Sequence, residues 1–86
     1  MTPSVRRRIL RLIRGGNVSA TAAAACGVFE DAFHQRMRTD DGFRRAVVQA
    51  EAAFEEEMLA IIRKAAGDGD VGAEAWMRAH PSAVLQ

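Results

Sequence analysis

Nine side chains in the first half of this 86-residue chain have the chemistry needed to contact DNA. Five arginines and no acid lie from Val5 to Arg14, and a guanidinium binds phosphate through its charge. A merely solvated helix face is the alternative for these arginines. Glutamine and arginine between His34 and Arg38 can form bidentate contacts with base edges. The predicted DNA-binding residues are Arg6, Arg7, Arg8, Arg11, Arg14, His34, Gln35, Arg36 and Arg38.

Residue patterns that would indicate an enzyme are missing from the sequence. It contains no Walker loop, no HExxH pair, no cluster of cysteine and histidine, and no plausible Ser-His-acid set. Asp68, Asp70 and Glu74 suggest a metal-binding pattern, but a turn is the stronger interpretation because the glutamate that closes a calcium loop is missing. We therefore expect no catalytic residue, no cofactor and no metal site.

The elements expected to position the DNA-binding residues are helices. The stretch from Gly15 to Arg38 predicts a short alanine-rich helix, a tight turn at Gly27 and a second helix over Glu30–Arg38. Small alanine side chains let another helix approach closely, and Val28 then returns an apolar side chain to the core. This order is typical of a helix-turn-helix, whose second helix can enter the major groove. A plain helical hairpin is the alternative.

Periodicity and helix-end signals define the first helices more closely. Ser4 is the expected N-cap of the first helix. Asn17 or Ser19 is expected to cap the alanine-rich helix, with Val18 tucked beneath its start. The residues predicted to face the core are Val5, Ile9, Leu12, Ile13, Phe33 and Met37.

Apolar residues recur at spacings of three and four over roughly Asp41–Ala66, which predicts one long helix. At 1.5 Å per residue this helix is about 40 Å long, which exceeds the core that the preceding segments can build. We predict that it joins copies of the chain, chiefly through its distal half; packing within its own chain is the alternative. The predicted oligomerisation residues are Phe43, Val47, Ala50, Phe54, Met58, Ile61 and Ile62.

The whole sequence predicts an all-α fold, in which a helix-turn-helix bundle precedes a long oligomerisation helix and a short C-terminal helix. The hydrophobic share of 49% with no tyrosine favours helices over a sheet. Residues 1–40 are the predicted DNA-binding region and residues 41–80 the oligomerisation region, which ends in a helix over Val71–His80 anchored by Trp76. Residues 81–86 are a predicted short tail after Pro81.

Charge is distributed unevenly along the chain. Residues 1–48 carry nine arginines against four acids, whereas residues 49–86 carry three basic residues against seven acids. This asymmetry indicates that the basic half binds nucleic acid and the acidic half binds protein. No apolar run is long enough to cross a membrane, and nothing resembles a signal peptide. With Cys26 as its single cysteine, the chain is expected to be cytoplasmic and to have no membrane partner.

Four short segments carry a family likeness: Gly16–Ser19, Ala23–Val28, Asp40–Arg44 and the GDGDVGAEAWMRAHP stretch that ends at Pro81. In this order they resemble the helix-turn-helix small terminase subunits of phages and prophages, over nearly the whole chain. The resemblance implies a non-enzymatic part of a genome-packaging motor, located in a bacterial host cell. Such a protein binds double-stranded DNA, assembles into a ring, and recruits and regulates the large terminase subunit, which carries the ATPase and nuclease.

Carried over by position, the resemblance makes Glu30–Arg38 the recognition helix and makes the helix from Asp41 the oligomerisation element. The chain departs from the family at Phe29, Arg36 and Asp41, where a capping serine or threonine, an aromatic residue and a proline are usual. Together with the acids that open the recognition helix, these departures imply weak DNA binding of low specificity. Two alternatives stay open: a helix-turn-helix transcriptional regulator that binds an operator as a dimer, and an assembly module without DNA affinity.

Overall fold

The computed structural model describes residues 1–84, which fold into helices and the turns between them. The prediction of an all-α fold is confirmed. Leu85 and Gln86, which end the predicted tail 81–86, lie outside the described residues. The helices are α1 (Pro3–Arg14), α2 (Ser19–Ala25), α3 (Glu30–Thr39), α4 (Asp41–Gly67), α5 (Val71–Ala79) and α6 (Pro81–Val84).

The chain forms two compact units that divide within α4, one over Met1–Phe54 and the other from Glu55 onward. The first compact unit therefore extends past residue 40 into α4. The physical reason is that the first half of α4 contributes to the core of the first unit. That core is formed by Ile9, Ile13, Ala22, Ala23, Phe33, Phe43, Val47 and Ala50.

The predicted inward faces of the first helices are confirmed. Ile9 and Ile13 are buried on α1, and Phe33 is buried on α3. Val5, Leu12 and Met37 are partly buried against the same core, as the helical spacing requires. Ala22 and Ala23 are buried on α2, which contacts both α1 and α3. Their small side chains let the backbone of α2 approach its neighbours closely.

Thr2, and not Ser4, caps the N-terminus of α1. The Thr2 hydroxyl accepts a hydrogen bond from the backbone N–H of Val5 at 3.2 Å. Pro3 stands at the first helical position, where its fixed φ suits the helix and its missing N–H costs nothing. The helix therefore begins earlier than the Ser4 prediction required, and Ser4 lies inside it.

The predictions for the start of α2 were also wrong. Helix α2 begins at Ser19, and its N-cap is Val18, which offers no side-chain hydrogen bond. The Asn17 amide is engaged elsewhere, because its Nδ2 donates to the carbonyl of Leu12 at 2.8 Å. Val18 is 70% exposed and is not tucked beneath the helix.

Helix α2 ends at the predicted glycine turn. Gly27 has a φ of +83°, a left-handed conformation that side chains disfavour. Its N–H donates to the carbonyl of Ala24 at 3.0 Å, and the N–H of Val28 donates to the carbonyl of Ala23 at 2.9 Å. This pair of bonds is a Schellman motif, which satisfies the last carbonyls of the helix and reverses the chain sharply. Val28 then packs against the core, as predicted.

Gly16 closes α1 with a second left-handed turn and also meets a neighbouring ring. Its φ is +104°. A methyl group at this position would lie 2.7 Å from Cε2 of the Phe54 ring, well inside van der Waals contact. The turn after α1 therefore depends on glycine for two separate reasons, its backbone conformation and the close approach of Phe54.

Replacing Gly16 with alanine should destabilise the first unit by about 2–3 kcal/mol, because backbone strain and overpacking against Phe54 add together. Gly27→Ala is the matched control, since its φ is also positive but a methyl group there meets nothing within 4 Å. It should cost only about 1–2 kcal/mol of strain. Urea unfolding followed by circular dichroism compares the two variants. Equal losses would show that the Phe54 ring does not constrain Gly16.

The second unit contains the distal part of α4 together with α5 and α6. Asp70 caps α5, because its carboxylate accepts a hydrogen bond from the N–H of Ala73 at 2.9 Å. Trp76 is half-buried and stacks on His80, with ring centroids 4.1 Å apart. Pro81 stands at the first position of α6, where proline is tolerated, so the segment predicted as a short tail begins with a short helix.

Candidate nucleic-acid interface

Four of the predicted DNA-binding arginines form an exposed basic face on α1. Arg7, Arg8, Arg11 and Arg14 are exposed, while Ile9 and Ile13 fill the opposite side of the same helix. Among the described residues, ion pairs with carboxylates are formed by His34, Arg36 and Arg44, and not by these four arginines. The four guanidinium groups are therefore available to an external anion such as phosphate. We call Arg7, Arg8, Arg11 and Arg14 the arginine face.

Arg6 and Arg36 differ from the arginine face because both interact within the first unit. The guanidinium carbon of Arg6 lies 5.8 Å from the centroid of the Phe43 ring, within range of a cation–π contact. Nη1 of Arg36 lies 3.6 Å from Oδ2 of Asp40. Arg6, Arg36 and Asp40 line one surface depression. Of the predicted DNA-binding residues, the structure thus brings Arg6 of α1 and Arg36 of α3 to the same depression, where Arg36 pairs with Asp40.

Asp40 organises the corner between α3 and α4. It is the C-cap of α3, and its carboxylate accepts a hydrogen bond from the N–H of Phe43 at 3.0 Å. That backbone hydrogen bond, helped by the positive charges of Arg6 and Arg36, holds the pKa of the Asp40 carboxyl below its usual range. The charged carboxylate therefore stabilises the corner above its ordinary pKa, and this contribution is lost as pH falls through the lowered value.

The outward face of α3 carries the remaining predicted contacts. His34, Gln35 and Arg38 are exposed, whereas Phe33 turns inward. Nε2 of His34 lies 3.7 Å from a carboxylate oxygen of Glu30, one helical turn earlier. The first turn of α3 carries two acids and its last turn two arginines, which suits the helix dipole. This face therefore presents negative charge at one end and positive charge at the other.

The structure corrects the predicted oligomerisation residues in the first half of α4. Phe43, Val47 and Ala50 are buried in the core of their own unit, so a second folded copy has no access to them. Phe54 is half-buried, and its ring lies against Gly16. The apolar stripe on this part of α4 is explained by packing within the chain.

The distal half of α4 keeps apolar side chains at its surface. Met58 is 42% exposed and Ile61 is 64% exposed, while Ile62 is half-buried. Sequence reasoning missed Leu59, which is only 7% exposed in the second unit. The signal was present, because Leu59, Ile62 and Ala66 recur at i, i+3 and i+7 and form a stripe beside the predicted one.

Val18 and Phe29 are exposed apolar residues at the starts of helices, and neither was among the predicted site residues. Phe29 is the N-cap of α3, just as Val18 is the N-cap of α2, and each is 70% exposed. Neither side chain makes a capping hydrogen bond. The only sequence signal for Phe29 was the unusual choice of an aromatic residue where a polar cap is expected.

The described residues contain no group of three or more acidic, histidine or cysteine side chains arranged to hold a metal ion. No helix among residues 1–84 is long and apolar enough to cross a membrane. Cys26 is half-buried and its side chain packs against the core of the first unit. Comparisons of the chain with protein families, curated proteins and solved structures found no significant match.

Proposed function

We propose that this chain is a non-enzymatic DNA-binding adaptor of the small-terminase type. In this proposal α2 and α3 form a helix-turn-helix, and α3 enters the major groove of double-stranded DNA. The observation that carries the proposal is the Schellman turn at Gly27, which joins two contacting helices and leaves His34, Gln35 and Arg38 on the outward side of the second.

The distribution of charge supports binding that is mainly electrostatic. The arginine face offers positive charge without sequence information, since phosphates are the same at every base pair. Glu30 and Asp31 repel phosphates at the start of α3, and Arg36 is engaged with Asp40. We therefore expect a modest affinity that falls steeply with salt and depends weakly on sequence.

Assembly of several copies is the second part of the proposal. Met58 and Ile61 give the distal half of α4 an exposed apolar surface, which a second copy of the chain would cover. The resemblance to small terminases supports a ring as the assembled form and the large terminase as the partner that it recruits. The chain itself would supply neither ATPase nor nuclease activity.

The native mass of the purified protein, measured with and without duplex DNA over a range of salt concentrations, tests this function. A closed ring larger than a tetramer that binds many sequences, with affinity falling as salt rises, supports the packaging adaptor. A dimer that prefers one palindromic sequence indicates the transcriptional regulator instead. Assembly without any salt-sensitive DNA affinity indicates an assembly module.

The substitution Ile61→Glu should reduce the native mass toward that of the monomer while leaving the helical content largely unchanged. A buried carboxylate at the contact between copies is costly, whereas the same group on a free surface is not. Val48→Glu is the control, because Val48 is 56% exposed on the part of α4 that belongs to the first unit. If Ile61→Glu keeps the native mass of the unmodified protein, the contact between copies lies elsewhere.

A further inference from the structure

Phe29 is a large aromatic side chain that is exposed to solvent, although the backbone that carries it is hydrogen-bonded on both sides. It is 70% exposed, although Val28 immediately before it packs against the core. Its carbonyl accepts the N–H of Phe33 at 2.9 Å, the first helical hydrogen bond of α3. The backbone on both sides is therefore anchored, and the ring projects from a defined place at the tip of the helix. Ordering this side chain on binding costs little, since only its two side-chain torsions must be fixed.

The charges beside Phe29 restrict what it can approach on a DNA duplex. Glu30 and Asp31 follow it directly and are both exposed. Two carboxylates repel the phosphate backbone, but they accept hydrogen bonds from amino groups at base edges, such as N4 of cytosine. The tip of α3 therefore suits the floor of the major groove better than its phosphate walls. The apolar groups available there are the methyl groups on C5 of pyrimidines.

We propose that Phe29 is a specificity-determining residue that contacts the C5-methyl group of a pyrimidine in the major groove. This inference rests on the proposed function, because α3 must enter the groove for the contact to form. Thymine carries this methyl group, and 5-methylcytosine carries the same group beside an N4 amino group that can donate a hydrogen bond to a carboxylate. Both bases present the same methyl group, and duplexes that contain only one of them show which base Phe29 contacts.

Phe29→Ser removes the ring without the usual risk of unfolding the protein. Phe29 is the N-cap of α3 and makes no capping hydrogen bond, whereas serine is a favoured N-cap residue. The variant should therefore fold as well as the natural chain. Val18→Ser is the matched control, because Val18 is equally exposed and is the uncapped N-cap of α2.

The full-length protein and both variants are titrated by fluorescence anisotropy at one fixed low salt concentration. Three duplexes of the same mixed sequence are compared: one with thymine, one with every thymine replaced by uracil, and the uracil duplex with 5-methylcytosine in place of cytosine. The natural chain should bind the uracil duplex about threefold to fivefold more weakly, the value expected for losing one buried methyl group. Phe29→Ser should bind the thymine and uracil duplexes equally, and Val18→Ser should keep the difference.

The third duplex identifies the source of the methyl group. Recovery of affinity assigns the contact to either methylated pyrimidine, and no recovery assigns it to thymine. Equal binding of thymine and uracil duplexes by the natural chain would overturn the inference and leave the DNA-binding function standing. A difference that persists in Phe29→Ser would also overturn it, because another group or the DNA shape would then be responsible. If no duplex binds even at low salt, the proposed function fails as well.

Discussion

Arg7→Glu combined with Arg11→Glu should weaken DNA binding about tenfold to hundredfold at low salt, because phosphate contacts supply most of a non-specific affinity. Arg7 and Arg11 lie one helical turn apart on the arginine face and are exposed. The loss should be similar for unrelated sequences, since phosphates carry no base information. Each lost contact should also reduce the slope of log affinity against log salt by about 0.9. Anisotropy titrations at several salt concentrations measure both quantities.

The control for this double variant is Lys64→Glu combined with Arg78→Glu, which makes the same change in net charge within the second unit. It should retain most of the DNA affinity if the arginine face makes the contacts. An equal loss in the control would show that net charge, and not the position of the arginines, governs binding. Arg6→Glu would be a poor substitute, because Arg6 contacts Phe43 and would disturb the fold.

Phe43→Ala should destabilise the first unit by about 3–5 kcal/mol, the usual range for removing a fully buried aromatic ring. The Phe43 side chain has no exposed surface, and its ring meets that of Phe33 edge to face with centroids 6.1 Å apart. A domain this small has only a few kcal/mol of stability to lose. We therefore expect extensive loss of helical circular dichroism at room temperature and a much lower Tm.

Phe29→Ala removes the same type of side chain from an exposed position and should leave the Tm nearly unchanged. The sequence alone had assigned Phe43 to oligomerisation. Comparing the two variants tests whether Phe43 belongs to the core of the first unit or to a contact between copies. If Phe43→Ala lowered the native mass but kept the helical content and the Tm, Phe43 would belong to the contact between copies.

Local signals in the sequence determined the helices and the turns between the first of them. The apolar spacing on α1 correctly predicted Ile9 and Ile13 as buried, because a helix places residues three and four apart on one face. Gly27 correctly predicted the end of α2. A left-handed turn of this kind favours glycine because of the local backbone conformation, whatever the rest of the chain packs against. The capping predictions failed at Ser4 and Asn17, where a neighbouring proline and a competing carbonyl decided which residue began the helix.

Only the tertiary structure decided what covers each apolar face and which charges are free. The periodicity of α4 is the same for Phe43 and Ile61, yet Phe43 is buried in the core of the first unit, whereas Ile61 is exposed in the second unit. The sequence grouped Arg6 with its neighbours on α1, but Arg6 is half-buried and its guanidinium lies over the ring of Phe43. Spacing fixes the side of a helix on which a residue lies. The surface that meets that side is set by contacts between residues far apart in sequence, and these depend on how the helices pack.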